Sequence, residues 1–254
     1  MNAGIIILCR LHSKRLPNKA LLPLGNSTII DKCVLNCLES NSAPVIVATS
    51  TNFQDDALAS HICMFHKDCE VFRGSEIDVA QRMLDAADKY GWDTIVRVTG
   101  DSPFISFELI RHLFQCAQVF DYIYLTNACL GTKPEIMSVS ALRKIISEFD
   151  SSKSEYLTYY FKNNPDMFHS ISIDTPQGLC GDYRLNVDYP EDYELAKSIY
   201  KYVRNDNQCV SLPEVIEIVE RYKLYNINKK CHPQYVSGKL FDEIMVATQN
   251  RRDR

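Results

Sequence analysis

Five short apolar runs, separated by four stretches of helical periodicity, leave this chain few folds to choose from. The runs are Gly4–Cys9, Pro44–Ala48, Cys69–Phe72, Thr94–Val98 and Asp121–Leu125. They are short, mostly unbroken and rich in β-branched residues, as strands buried on both faces are. Between them, Ile29, Ile30, Cys33, Val34, Cys37 and Leu38 repeat at helical spacing after a cap at Asn26 or Ser27. Residues 54–64 form a second helical stretch opened by Asp55 and Asp56. Ile77–Tyr90 is a third, with Val79, Met83, Leu84 and Ala87 on one face and Gly91 as its stop, and Ser106–Phe120 is a fourth. Strand and helix in strict alternation predict an α/β fold with a doubly wound, mainly parallel, Rossmann-like sheet.

The second half is less regular. Glu135–Val139 reads as a strand entering a helix at Ser140 or Ala141, and Glu155–Asn163 as a tyrosine-rich helix. Ile171–Ile173 and Tyr183–Val187 read as strands, with Asp188 closing the second. Helices follow at Glu191–Val203, with Pro190 in the first turn, at Pro213–Tyr225, and more loosely at Gln234–Gln249. No linker interrupts the chain, so a single domain with a C-terminal helical extension over 205–254 is expected.

Composition narrows the functional classes. A net charge of -4 over 254 residues offers no footprint for nucleic acid. No apolar run is long enough to span a membrane, and the N-terminal run, ending in arginine, is no secretory signal. Ten cysteines in a chain of this length without such a signal predict reduced thiols and a cytoplasmic location. His61, Cys63, His66 and Cys69 are four soft ligands of the kind zinc takes. Their spacing lacks the usual C-x-x-C pair, and the stretch reads instead as a helix end running into the next strand.

The first run gives way abruptly to Arg10–Lys19, which carries Arg10, Arg15 and Lys19 with Ser13 and Pro17. Open α/β sheets bind ligands at the carboxyl ends of their strands. Three cations in one loop there suit a polyphosphate, although a basic surface loop would look the same. No glycine falls between Ile5 and Leu24, so this is not the glycine-rich phosphate loop. Three more predicted strand ends are polar: Arg73-Gly74-Ser75, Thr99-Gly100-Asp101 and Asp188. Cations with two lone aspartates in one crevice fit nucleoside triphosphate chemistry, in which aspartates hold Mg²⁺ against phosphate oxygens. Taken singly, Asp101 would also suit a turn and Asp188 a helix cap.

The segment R-x-x-S-x-R-L-P-x-K from Arg10 to Lys19 resembles the opening motif of the sugar cytidylyltransferases, among them the acylneuraminate, KDO and spore-coat polysaccharide branches. T-G-D-S-P-F-I at Thr99 resembles their G-D-x-P-x-I motif, and V-D-Y-P-E-D-Y at Val187 their V-D-x-P-E-D segment. V-F-R-G-S-E-I-D-V at Val71 resembles the segment after the third strand in the spore-coat branch. His12 and Lys14 depart from the usual loop. The resemblance implies an Mg²⁺-dependent transfer of CMP from CTP to a sugar or sugar-acid acceptor, with release of pyrophosphate. It implies a nucleotide site of Leu8, Cys9, Arg10, Ser13, Arg15, Lys19, Arg73, Gly74, Ser75, Asp78, Thr99 and Gly100. Within it Arg10, Arg15, Lys19 and Asp101 would be catalytic, with the metal on Asp101 and Asp188. The nucleotide-binding half would be 1–126 and the acceptor-binding half 127–204.

Asn127, Lys133, Glu135, Glu155, Tyr156 and Tyr159 fall near predicted strand ends or helix starts, as acceptor-binding groups would and ordinary surface groups also do. Arg97, inside an apolar strand, would hold an acidic ligand or pair with an acidic neighbour. Relatives are commonly dimers, and Val215, Ile216, Ile218, Val219, Tyr222, Leu224 and Tyr225 are more apolar than a terminal helix needs, so a homodimer is expected. Two rivals stand beside this reading. A nucleotide-sugar glycosyltransferase would show an Asp-x-Asp motif, which 99–103 lacks. A non-catalytic nucleotide-binding protein has no need of both aspartates.

Overall fold

A computed structural model describes residues 2–116, 120–231 and 239–252. Seven strands form one sheet in the order β5-β4-β1-β6-β8-β7-β9. They are β1 (Ala3–Leu8), β4 (Val45–Ser50), β5 (Cys69–Gly74), β6 (Thr94–Thr99), β7 (Tyr122–Thr126), β8 (Glu135–Ser138) and β9 (Ser170–Asp174). The intervening β2 (Pro23–Leu24) and β3 (Ser27–Thr28) make a separate small hairpin. Pairings of β1 with β4 and β6, β4 with β5, and β7 with β9 are parallel. Among the described strands of this sheet, only β8 runs against its neighbours, β6 and β7. The five runs read from sequence are all strands. Because β1 is flanked by β4 on one side and β6 on the other, the strand order reverses beside it, and a crevice opens there.

Side-chain alternation splits the core into two layers. Ile5, Ile7, Val96 and Val98 face α1 (Ile29–Glu39), α2 (Asp56–Phe65) and α4 (Phe107–Cys116), joined by α7 (Pro190–Tyr200) and α8 (Leu212–Arg221). Ile6, Leu8 and Ile95 face α3 (Val79–Tyr90), α5 (Val139–Glu148) and α6 (Leu157–Asn163). The last helix, α9 (Lys239–Gln249), packs against α6. Residues 117–119 of the expected Ser106–Phe120 helix, 234–238 of the expected last helix and 253–254 of the basic tail lie outside the described residues.

Three local expectations need correction. Thr28, not Asn26 or Ser27, caps α1: its Oγ1 accepts from Asp31 N at 3.4 Å while Thr28 N donates to Asp31 Oδ2 at 2.9 Å. This reciprocal capping box satisfies two orphan amides, and Asn26 and Ser27 belong to the hairpin before it. Tyr183–Val187 is not a strand. It runs extended beside 130, trading Leu130 N to Tyr183 O (2.9 Å) and Leu185 N to Leu130 O (2.8 Å), with only isolated bridges. Its alternation reflects Leu185 and Val187 dipping into the core while Arg184 and Asn186 turn to the crevice. In α8, Val215, Ile218 and Val219 are buried in the chain's own core, so that apolar stripe is largely consumed within the molecule.

Candidate active site

The crevice at the carboxyl ends of β1 and β6 is built around one lysine. Lys19 Nζ lies 2.5 Å from Asp101 Oδ2 and 2.8 Å from Asp188 Oδ1. Asp101 is there because β6 ends at Thr99 and Gly100 turns the chain over Cys9. A Cβ on Gly100 would come within 2.7 Å of the Cys9 side chain, so only glycine lets the two strand ends close up. Asp188 arrives from the opposite side of the chain, held by Val187 N donating to Asp101 O at 2.8 Å.

Asp188 is 8 % exposed and both its oxygens are occupied. Oδ1 accepts from Arg15 (2.8 Å) and Lys19 (2.8 Å); Oδ2 accepts from Arg184 (3.0 Å) and Asn186 (2.7 Å). Burial pushes its carboxyl up, but Lys19, Arg15 and Arg184 outweigh this and hold it below the ordinary carboxylate value. For Lys19 burial works against the charge, and Asp101 with Asp188 overcomes it, raising the ammonium. Arg184 in turn grips Asp192, whose Oδ2 also accepts from Asp188 N (3.1 Å) and Tyr189 N (3.0 Å) at the start of α7. The Tyr189 ring lies under Arg15 at 4.9 Å and Arg184 at 5.6 Å.

The rest of the basic loop is tied to both sides of the crevice. Leu11 N donates to Asp55 Oδ1 at 2.7 Å, and Asp55 also accepts from Ser50 Oγ at 2.5 Å, so the loop's first residues are fixed to the end of β4. Ser13 Oγ accepts from Leu16 N at 3.4 Å within the loop. Arg10 donates to Glu76 O at 2.7 Å and pairs with Glu155 at 3.0 Å, bridging to the segment before α6. Tyr156 occupies the cap position of α6 beside it.

Other expected residues are committed within the protein. Arg73 donates to Ser50 O and Asn52 O, each at 2.8 Å, and pairs with Asp56 at 2.6 Å. Ser75 Oγ accepts from Asp78 N at 3.1 Å, and Asp78 caps α3 through Gln81 N at 2.9 Å and takes the Ser151 hydroxyl at 2.6 Å. Thr99 meets the Ser102 hydroxyl at 3.1 Å. Glu135 turns inward: Arg97 at 2.5 Å and Thr158 at 2.7 Å donate to it, together with the Tyr122 hydroxyl, so Arg97 takes an acidic neighbour as its partner. Asn127, at φ 58°, ends β7 and accepts from Gly181 N at 3.1 Å. Burial, then Asp101, pushes the Cys9 thiol well up, so it stays protonated. His61 and His66 both place Nε2 on Asp31 Oδ1, at 2.8 and 2.7 Å, and among the described residues no group of three or more ligands could hold a metal ion.

Arg184, Asn186, Asp192 and Asp55 are site residues that sequence reasoning passed over. Two polar residues alternating with Leu185 and Val187 just before Asp188 are the signal for the first pair. Asp55 reads in the sequence only as a helix opener, because Leu11, the loop residue it holds, lies 44 positions away.

The chain matches the sequence model of a family described as cytidylyltransferase over residues 4–229. It is 33% identical over 226 residues to the spore coat polysaccharide biosynthesis protein SpsF of Bacillus subtilis, covering 85% of this chain and 93% of that protein. A solved cytidylyltransferase of Leptospira borgpetersenii superposes with a TM-score of 0.80 at 30% identity, covering 92% of this chain and all of the other. A CMP:2-keto-3-deoxy-manno-octonic acid synthetase solved with CTP shares the fold at a TM-score of 0.61 and 16% identity, over 79% of this chain and 99% of that one.

Proposed function

Because this chain belongs to the cytidylyltransferase family, we propose that it transfers CMP from CTP to a sugar, sugar acid or related acceptor, with Mg²⁺ as cofactor and pyrophosphate as the second product. The observation that carries this is the convergence of Lys19, Arg15, Asp101 and Asp188 in one crevice. The product would serve cell-surface polysaccharide synthesis, as the name of the Bacillus relative suggests. Residues 1–126 would serve the nucleotide and 127–204 the acceptor.

The carboxylates suit a divalent ion. Asp101 and Asp188 are close enough to share one cation, the Lys19 ammonium, and they present the hard oxygens that Mg²⁺ prefers. When bound, the ion supplies positive charge against the α-phosphate and the departing pyrophosphate. Lys19, Arg15 and Arg10 bind the triphosphate and hold it while the acceptor oxygen bonds to the α-phosphorus and the bond to the bridging oxygen breaks. Arg184 and Asn186 keep Asp188 oriented from behind, and Asp55 fixes the loop that carries the cations. Asp101 and Asp188 are on hand for the metal, with the acceptor entering beside Glu155 and Tyr156. Asn127, at the end of β7, belongs to that half as well, whereas Glu135 is turned inward onto Arg97.

Nucleotide preference tests this reading. Thermal protection by CTP with Mg²⁺ is expected to exceed that by UTP, ATP or GTP, since a ligand of the native state stabilises it by mass action. Equal shifts for all four would remove the cytidylyl assignment. A screen of sugar and sugar-acid acceptors with CTP, read by the mass of the CMP conjugate, then identifies the acceptor.

A further inference from the structure

We propose that Arg82 is a substrate-binding cation whose buried guanidinium takes an anionic oxygen of the nucleotide's phosphate chain. The inference rests on the CTP reading above. Arg82 sits in the first turn of α3 and is only 1 % exposed. Its Nη1 donates to the Ser75 carbonyl at 2.5 Å, while its Nε is buried with no hydrogen-bond partner. Among the described residues no carboxylate pairs with it.

The charges around Arg82 do not supply the missing counter-ion. Arg10, Asp55 and Glu155 are the ionised groups that act on it. Asp55 is already committed to Leu11 N and Ser50, and Glu155 to Arg10. Burial first, and the like charge of Arg10 second, pull the guanidinium down to about 10, which leaves it charged at neutral pH. A buried charge without a partner is costly, and such groups are ordinarily paired.

The position of this unpaired charge is specific. Arg10 donates to Glu76 O at 2.7 Å and Arg82 to Ser75 O at 2.5 Å, so two guanidinium groups grip adjacent carbonyls of one turn. Gly74 makes that approach possible, since a Cβ there would lie 3.1 Å from Arg82 Cγ. Arg10 opens the basic loop at the end of β1, and Arg82 lies behind it at the head of α3. Two cations grip this one turn while Asp55 and Glu155 are already committed elsewhere, so an oxyanion of the ligand would supply the charge that Arg82 lacks.

Two variants, Arg82→Met and Arg82→Lys, test this by isothermal titration with cytidine, CMP and CTP in Mg²⁺, alongside the melting temperature without ligand. The Met variant removes an uncompensated buried charge, so its ligand-free melting temperature should equal or exceed that of the parent protein. Its CTP affinity should fall about tenfold or more, as for one lost charge-assisted contact, while cytidine affinity stays unchanged. The Lys variant should recover part of the CTP affinity. A Met variant that fails to fold, or melts well below the parent while cytidine and CTP weaken by the same factor, makes Arg82 a clamp on Ser75 and overturns the proposal. Unchanged CTP affinity overturns it too, and points the charge at an acidic acceptor. Failure of the CTP reading itself would show in the unmutated protein, as CTP binding no tighter than that of other nucleoside triphosphates.

Discussion

Lys19, Arg15 and Asp188 each have more than one partner in the crevice, and this decides what a substitution does. Asp101→Asn and Asp188→Asn keep size and one oxygen but lose the anion, so the loss should fall on kcat by orders of magnitude. Arg15→Ala and Lys19→Ala should weaken CTP binding as well, by about 1.5–3 kcal/mol for one charge-assisted contact, or roughly one to two decades. Steady-state kinetics of the four variants over a range of Mg²⁺ separates these outcomes. If both aspartate variants keep near-normal kcat at saturating Mg²⁺, the metal assignment is wrong. If Asp188→Asn alone stays active, Asp188 serves the start of α7, where Asp192 already ties its amide. The two aspartates and the basic loop were legible in the sequence because their motifs are contiguous. Arg184 and Arg82 were not, because what marks them is burial and the partners they have or lack.

Among the elements, α1 carries the most testable anchor. Asp31 closes the capping box and also receives His61 and His66 from α2 and its end. Burial raises its carboxyl, but the bonds from His66, Thr28 and His61 prevail, so its folded value lies well below the unfolded one. A carboxyl depressed on folding contributes stability that is complete above the ordinary carboxylate value and is lost as pH falls below it. The stability gap between the parent and Asp31→Asn, from urea unfolding, should therefore be flat near neutrality and shrink below about pH 4. A gap that does not change down to strongly acid pH would show that Asp31 titrates as in the unfolded chain. Strand placement was legible because a parallel core strand must be apolar on both faces. The cap of α1 was misplaced because Asn26, Ser27 and Thr28 are all good capping types, and only the hairpin pairing of Pro23 with Thr28 decides among them. Tyr183–Val187 misled for a related reason: alternation in a loop pinned to the sheet looks like alternation in a strand.

Over the whole molecule, the C-terminal part is clasped to the N-terminal hairpin. Lys32, 2 % exposed, donates to Asn26 Oδ1 and Asp206 O, each at 2.7 Å, and pairs with the Asp206 carboxylate, which also accepts from Asn26 N at 2.6 Å. Asp206→Ala leaves that ammonium without its counter-charge and should cost about 2 kcal/mol, read as a lower urea midpoint with unchanged m. An unchanged midpoint would mean that Asn26 and the backbone carbonyl suffice. The homodimer is a proposal at this scale, resting on the family's habit and on Tyr202, Tyr222, Tyr225 and Ile227, which stay exposed after α8 is buried. Light scattering at micromolar concentration is expected to give twice the chain mass, and a single-chain mass counts against it. None of the described helices is long and apolar enough to cross a membrane. The pairing of Lys19 with Asp188 also bears on how the protein is made. These residues are 169 positions apart, and at about 5–20 residues per second a ribosome needs roughly ten to thirty seconds between them. Throughout that interval the emerging chain displays the basic loop before Asp188, Arg184 and Asp192 have been synthesised. The crevice is thus completed from its two ends, and a nascent chain arrested before Asp188 holds the cations of the basic loop without the scaffold that aims them.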